Sequence, residues 1–121
     1  MKKFQERVQE FNDKRNWSNE NEMKRMKDFL MNMCEEAGEA WSIIKWVDDT
    51  NIKELVEKHK DEYEDFIGDQ LFLILKIANI AGVDSEKALE RTLNDYEKRF
   101  PVKEAIEKKH GNVLAGGIDN K

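Results

Sequence analysis

The sequence predicts an all-α fold, a four-helix-bundle-like domain, on three observations. One proline and six glycines punctuate 121 residues, too few for a fold built from many short strands and tight turns. Charged residues make up 39% of the chain, which suits long helices with a solvated face. Apolar residues recur at steps of three and four, the period of a helix rather than the alternation of a strand.

Taken in order, Phe4, Val8 and Phe11 hold helical spacing through KKFQERVQEFNDKR, which predicts a first amphipathic helix running into Trp17. Ser18 or Asn19 can cap the next helix. Met23, Met26, Leu30, Met33, Ala37, Ala40 and Ile44 trace the stripe of that long second helix over about 20–47. Asp48, Asp49, Thr50 and Asn51 stop it. A short helix is expected over 52–59 and a long one over 60–82, apolar nearly all round its middle and closed by Gly82 as a C-cap. Asp84 or Ser85 caps a further helix through Ala88, Leu89, Leu93 and Tyr96, and Pro101 breaks it. A single domain over 1–110 is expected, with 111–121 as a flexible C-terminal tail.

Composition narrows the function classes. The net charge of -5 argues against general nucleic-acid or anionic-membrane binding, both of which want a basic face. LFLIL, Leu71 to Leu75, is too short to span a bilayer, and the basic N-terminal start lacks the apolar core of a signal peptide. The lone Cys34 cannot form an intrachain disulfide, no Cys/His spacing suits zinc, and the thiol is expected as a small buried hydrophobe. A reducing cytoplasm is the expected compartment.

The chemistry-bearing stretch is CEEAGEAWSIIKW, Cys34 to Trp46. Glu36 and Glu39 stand three apart and Glu35 and Glu39 four apart, so all three crowd one sector of a helix. Asp65 and Asp69, four apart on the later helix, enter equally apolar surroundings. Unpaired carboxylates near a core neutralise, turn to water or bind a cation. Two such helices packed together would offer four or five oxygen ligands and little nitrogen or sulfur, the donor set of Mg²⁺. Two other readings explain the acids: a solvated surface, or a di-iron bundle. The di-iron site wants Glu three positions before His on each of two helices, and His59 has no such Glu.

The order FNDKRNW, EEAGEAWSIIKW, DFIGDQLFLILKIANIAGVDSEKAL and EKRFPVKEA resembles the MazG-like all-α nucleoside triphosphate pyrophosphohydrolases, especially their dCTP pyrophosphatase-type branch. The likeness spans about residues 4–110. The family pattern is Glu-Glu-x-x-Glu followed later by Glu-x-x-Asp around Mg²⁺, for which Mn²⁺ is a possible substitute. Carried over, Glu35 and Glu36 stand at the paired glutamates, Glu39 at the third and Asp69 at the final aspartate. Phe66 stands where the family usually has its second-motif glutamate, and Asp65, one position earlier, is the candidate replacement ligand. Asp95-Tyr96 replaces a common Lys-Asn pair.

The resemblance implies Mg²⁺-dependent hydrolysis of a (deoxy)nucleoside triphosphate to the monophosphate and pyrophosphate, a house-cleaning role in the nucleotide pool. It implies Glu36, Glu39 and Asp69 as metal ligands, with Asp65 as a candidate fourth, and Glu35 or Glu36 in the catalytic role. Trp17 and Trp46 are expected beside the nucleoside, and Lys45, Lys76 and Arg99 against the phosphates, while Trp41 is expected to pack. A homodimer or homotetramer is expected, completed over the apolar surface of the 60–82 helix. The alternative is a catalytically impaired relative that binds nucleotide or metal without turnover.

Overall fold

The structure, a computed structural model, describes residues 1–108. The tail expected at 111–121 lies outside the described residues. Among the described residues six α-helices and two short 3₁₀ helices follow one another: α1 (Lys2–Lys14), η1 (Glu20–Arg25), α2 (Met26–Ser42), η2 (Asp49–Asn51), α3 (Ile52–Lys58), α4 (Lys60–Ala81), α5 (Ser85–Arg99) and α6 (Val102–Lys108). Among the described residues there is no strand. The all-α expectation holds, and no single helix among them is long and apolar enough to cross a membrane.

The chain divides into two compact units, Met1–Val83 and the part from Asp84 onward. In the first, α4 is the central helix and α1 and α2 pack on it. The amide of Gln5 donates to Val83 O at 2.8 Å and that of Asn79 to Gln5 O at 3.2 Å, which ties the start of α1 to the end of α4. Further along, Phe11 meets Phe72 edge-on at 5.7 Å, so α1 runs antiparallel to α4. Phe29, Leu73, Leu75 and Ala78 are the buried apolar core, three of them from α4. Gly82 closes α4 in the left-handed conformation at φ 70°, where a side chain would be strained, and Val83 N donates back to Ala78 O at 2.8 Å.

The long second helix expected over 20–47 is shorter and starts later. Asn19 accepts from Asn21 N at 3.0 Å, and a 3₁₀ segment precedes the α-helix proper at Met26. That segment turns Glu22 into the interior, where it is 5% exposed beside Lys76. At the other end the Ser42 hydroxyl donates to Glu39 O at 2.6 Å and Ile44 N to Trp41 O at 3.1 Å, a tightened turn that ends α2 at Ser42. Lys45 and Trp46 therefore sit on a turn beyond the helix.

The packed face of α2 is also rotated from the expected stripe. Its buried and half-buried positions are Met26, Phe29, Met33, Glu36 and Ala40, whereas Leu30 and Ala37 are exposed. Cys34, expected to be buried, is exposed for the same reason, and Trp41, expected to pack, is 60% exposed.

In the second unit, the Asp84 carboxylate accepts from Lys87 N at 3.1 Å and caps α5, as expected. Tyr96 and Phe100 stack edge-on at 6.1 Å near its end, and α6 begins immediately after Pro101.

Candidate functional site

Two hydrogen bonds set α2 against α4. The Tyr63 hydroxyl donates to Ala40 O at 2.9 Å, and the Gln70 amide donates to Met33 O at 3.0 Å. The partners run in opposite order along the two helices, so α2 is antiparallel to α4. On α2, Glu36 lies on the packed seam between Met33 and Ala40. On α4, Phe66 lies between Tyr63 and Gln70. Both residues are half-buried.

Around this layer the two helices form a cleft of about 320 Å³, lined by Glu36, Glu39, Ala40, Ile43, Glu62, Asp65, Phe66 and Asp69. Ala40, Ile43 and Phe66 are its apolar lining, and its polar side chains are all carboxylates. Glu36 responds to that setting: its carboxyl is raised above the usual range, first by burial and then by the charges of Glu39, Asp69 and Glu35. Repulsion from Asp69 reaches it across the gap between helices, so the two acidic motifs, 33 residues apart in sequence, share one field.

Of the residues singled out from sequence, the fold brings Glu36, Glu39, Asp65 and Asp69 to one cleft. Glu35 is exposed and does not line it, although its charge is felt by Glu36. Glu62 is an acid that the family pattern does not single out; it lines the cleft and pairs with His59 Nδ1 at 2.8 Å. Its signal is nonetheless in the sequence, since Glu62 and Asp65 repeat the Glu-x-x-Asp spacing one turn before Phe66 and Asp69.

The expected substrate contacts are dispersed. Lys76 does not present its ammonium to solvent: it is 6% exposed, with Nζ 3.2 Å from Glu22 Oε2 in an ion pair that lacks aligned hydrogen-bond geometry. The same ammonium lies over the Phe29 ring at 4.5 Å and the Trp17 ring at 5.8 Å. The reason is burial: a cation in the core takes the anion that η1 turns inward. Trp17 is about half exposed and packs on Phe11 at 6.1 Å. Trp46 is 87% exposed, with Lys45 Nζ 5.6 Å from its ring and 5.2 Å from that of Trp41. Arg99 belongs to the second unit, where it pairs with Asp95 at 3.3 Å and lies over Tyr96 and Phe100.

Among the described residues no three Asp, Glu, His or Cys side chains converge in ligating geometry. The donor chemistry of the cleft nonetheless suits a hard divalent cation, because every donor side chain on its walls is a carboxylate. No protein-family model matches the chain, and no curated protein or solved structure matches it either.

Proposed function

We propose that this chain is a MazG-like nucleoside triphosphate pyrophosphohydrolase, which cleaves a (deoxy)nucleoside triphosphate between its α and β phosphates in the presence of Mg²⁺. One observation carries the reading: Glu36 and Glu39 from one helix and Asp65 and Asp69 from its antiparallel neighbour line the same cleft. Glu36, Glu39 and Asp69 are acids of the Glu-Glu-x-x-Glu and later Asp pattern in which the sequence resembles that family.

Glu36, Glu39 and Asp69 are the residues that would hold the cation, with Asp65 or Glu62 standing in for the glutamate that Phe66 replaces. Bound Mg²⁺ supplies charge neutralisation to the triphosphate and to the departing pyrophosphate. Glu36 lines the cleft and Glu35 does not, so Glu36 is better placed than Glu35 to take a proton from the attacking water. The water oxygen bonds to the α phosphorus as the bond to the bridging oxygen breaks, and pyrophosphate leaves with the electron pair.

Lys76 stands two turns along α4 from Asp69, about 10 Å by helical rise, and its ammonium lies 5.8 Å from the Trp17 ring. A half-exposed aromatic ring beside α4 suits the nucleoside end of the substrate.

Assembly into a homodimer or homotetramer belongs to the same proposal. Ile67, Leu71 and Ile74 of α4 are 56%, 41% and 44% exposed, and Leu30, Met31 and Trp41 of α2 are exposed too. Light scattering would show at least twice the 14.3 kDa chain mass, and a monomer at micromolar concentration would defeat this part.

A second reading has its own observation. Phe66 lines the cleft where an acid would serve catalysis, which favours a module that binds nucleotide or metal without turnover. Incubation of the purified protein with a panel of common and modified nucleoside triphosphates and Mg²⁺ separates the two. Release of pyrophosphate supports the enzyme, and metal-dependent nucleotide binding without pyrophosphate supports the module.

A further inference from the structure

Tyr63 and Gln70 reach from α4 to main-chain oxygens of α2, and the two bonds bracket Glu36, Glu39, Asp65 and Asp69 of the acidic cleft. The donors stand seven residues apart on α4, and their acceptors, Ala40 and Met33, stand seven apart on α2. Each bond therefore closes one end of an antiparallel stretch two turns long. Inside that stretch lie Glu36 and Glu39 on one helix and Asp65, Phe66 and Asp69 on the other.

The two acceptors differ in a way that matters. Ala40 O belongs to the last turn of α2, where carbonyls lack an intrahelical donor, so the Tyr63 hydroxyl replaces a missing helical bond. Met33 O lies well inside α2, and the Gln70 amide uses the second lone pair of that carbonyl. Both bonds are partly buried and both tie side chain to backbone, so neither can lengthen by much before it is lost.

Electrostatic repulsion opposes these two bonds. Carboxylates face one another across the cleft, and no cationic side chain lines it. Like charges push α2 and α4 apart, and Ala40, Ile43 and Phe66 offer only non-directional apolar contact in return.

We propose that Tyr63 and Gln70 are positioning residues that hold α2 and α4 in register against the repulsion of the cleft carboxylates. Resting on the proposed metal-dependent function, this role keeps the acids of the two helices on one cleft. Neither residue needs to touch metal or substrate.

The test is a thermal-unfolding cycle at low ionic strength, with Mn²⁺ binding followed by the paramagnetic signal of the free ion. Tyr63→Phe and Gln70→Leu are each made with Glu36 intact and with Glu36→Gln. Each variant should lower the unfolding midpoint, and the loss with Glu36 intact should be half or less of that with Glu36→Gln, because deleting a bond that opposes repulsion lets the helices relax and relieves part of that repulsion. Mn²⁺ affinity should weaken about tenfold in either variant at unchanged helical content, equivalent to ~1.4 kcal/mol.

Equal midpoint losses in the two backgrounds would overturn the proposal, since ordinary packing bonds would not sense the charge on Glu36. Unchanged Mn²⁺ affinity in variants of a protein that binds Mn²⁺ would overturn it as well. A wild-type protein that binds no Mn²⁺ defeats the metal reading of the cleft instead, and the thermal cycle still decides the positioning role. Should Gln70→Leu fail to fold, Tyr63→Phe, which removes a single oxygen atom, provides the same comparison.

Discussion

Replacing Lys76 by methionine separates a structural lysine from a substrate-binding one. Its ammonium is 3.2 Å from Glu22 Oε2, and the two side chains are only 8% and 7% exposed. Lys76→Met keeps the apolar stem but leaves the Glu22 carboxylate buried beside Phe29. Breaking a buried ion pair from one side costs about 3–5 kcal/mol. Arg25, 3.8 Å from the other Glu22 oxygen and 56% exposed, offsets part of this and places the loss near the lower end, about 3 kcal/mol. For a unit of this size that corresponds to a fall in midpoint on the order of 15 °C. The double change Glu22→Leu with Lys76→Met removes both charges and should recover most of the loss, because a buried pair and an apolar replacement of similar volume are often nearly equal in stability. Urea and thermal unfolding followed by circular dichroism measure all three variants. A loss below about 1 kcal/mol for Lys76→Met, or a double variant no more stable than the single, would refute the reasoning. A stable Lys76→Met protein with weakened triphosphate binding would return Lys76 to the substrate.

Other outcomes concern the cleft and the first helix. Glu36→Gln or Glu39→Gln should abolish Mg²⁺-dependent pyrophosphate release while leaving the unfolding midpoint unchanged or higher, since each removes a like charge from the cleft; near-normal rates at saturating metal would count against the assignment. Asp65→Asn should weaken metal binding and Phe66→Glu should preserve or raise activity, as titration of Mg²⁺ against rate would show; indifference to Asp65→Asn would mean the cleft acts without it. Asp13 accepts from the Ser18 hydroxyl and the Gln9 amide, which hold its carboxyl below the usual 3.8. A carboxylate lowered in the folded state contributes stability above its ordinary value and loses that contribution as pH falls through the lowered one. Ser18→Ala should therefore reduce stability at neutral pH and flatten its acid dependence below about pH 4, and unfolding midpoints taken across that range check the sign.

How much of the fold and the cleft is legible in the sequence varies with the kind of information each feature needs. Helix starts and stops written in local chemistry are readable: Asp84 as a cap, Gly82 in the left-handed conformation and the break at Pro101 all stand where the residues put them. Local hydrogen bonds and backbone sterics decide such points, and a few neighbouring residues carry both. The end of α2 at Ser42 and the 3₁₀ turn at Glu20–Arg25 are not readable in the same way, because apolar spacing continues through both. The spacing of Glu62 to Asp65 is readable in the sequence, but that Glu62 lines the cleft depends on which sector of α4 faces α2.

The sequence by itself determined an all-α chain, the helical spacing within each acidic motif and the anionic character of the stretch that carries them. Each is a property of composition or of residues within two helical turns of one another. Only the tertiary structure decided which acids meet. The Tyr63 and Gln70 bonds rotate α2 so that Glu36, not Ala37, lies on the packed seam, and they set Asp65 and Asp69 opposite it. The same packing buried Lys76 with Glu22, residues 54 positions apart. Period alone allows several faces of nearly equal apolarity on a helix such as α2; the choice among them is made by the side chains of its neighbour, and those contacts exist only once the chain has folded.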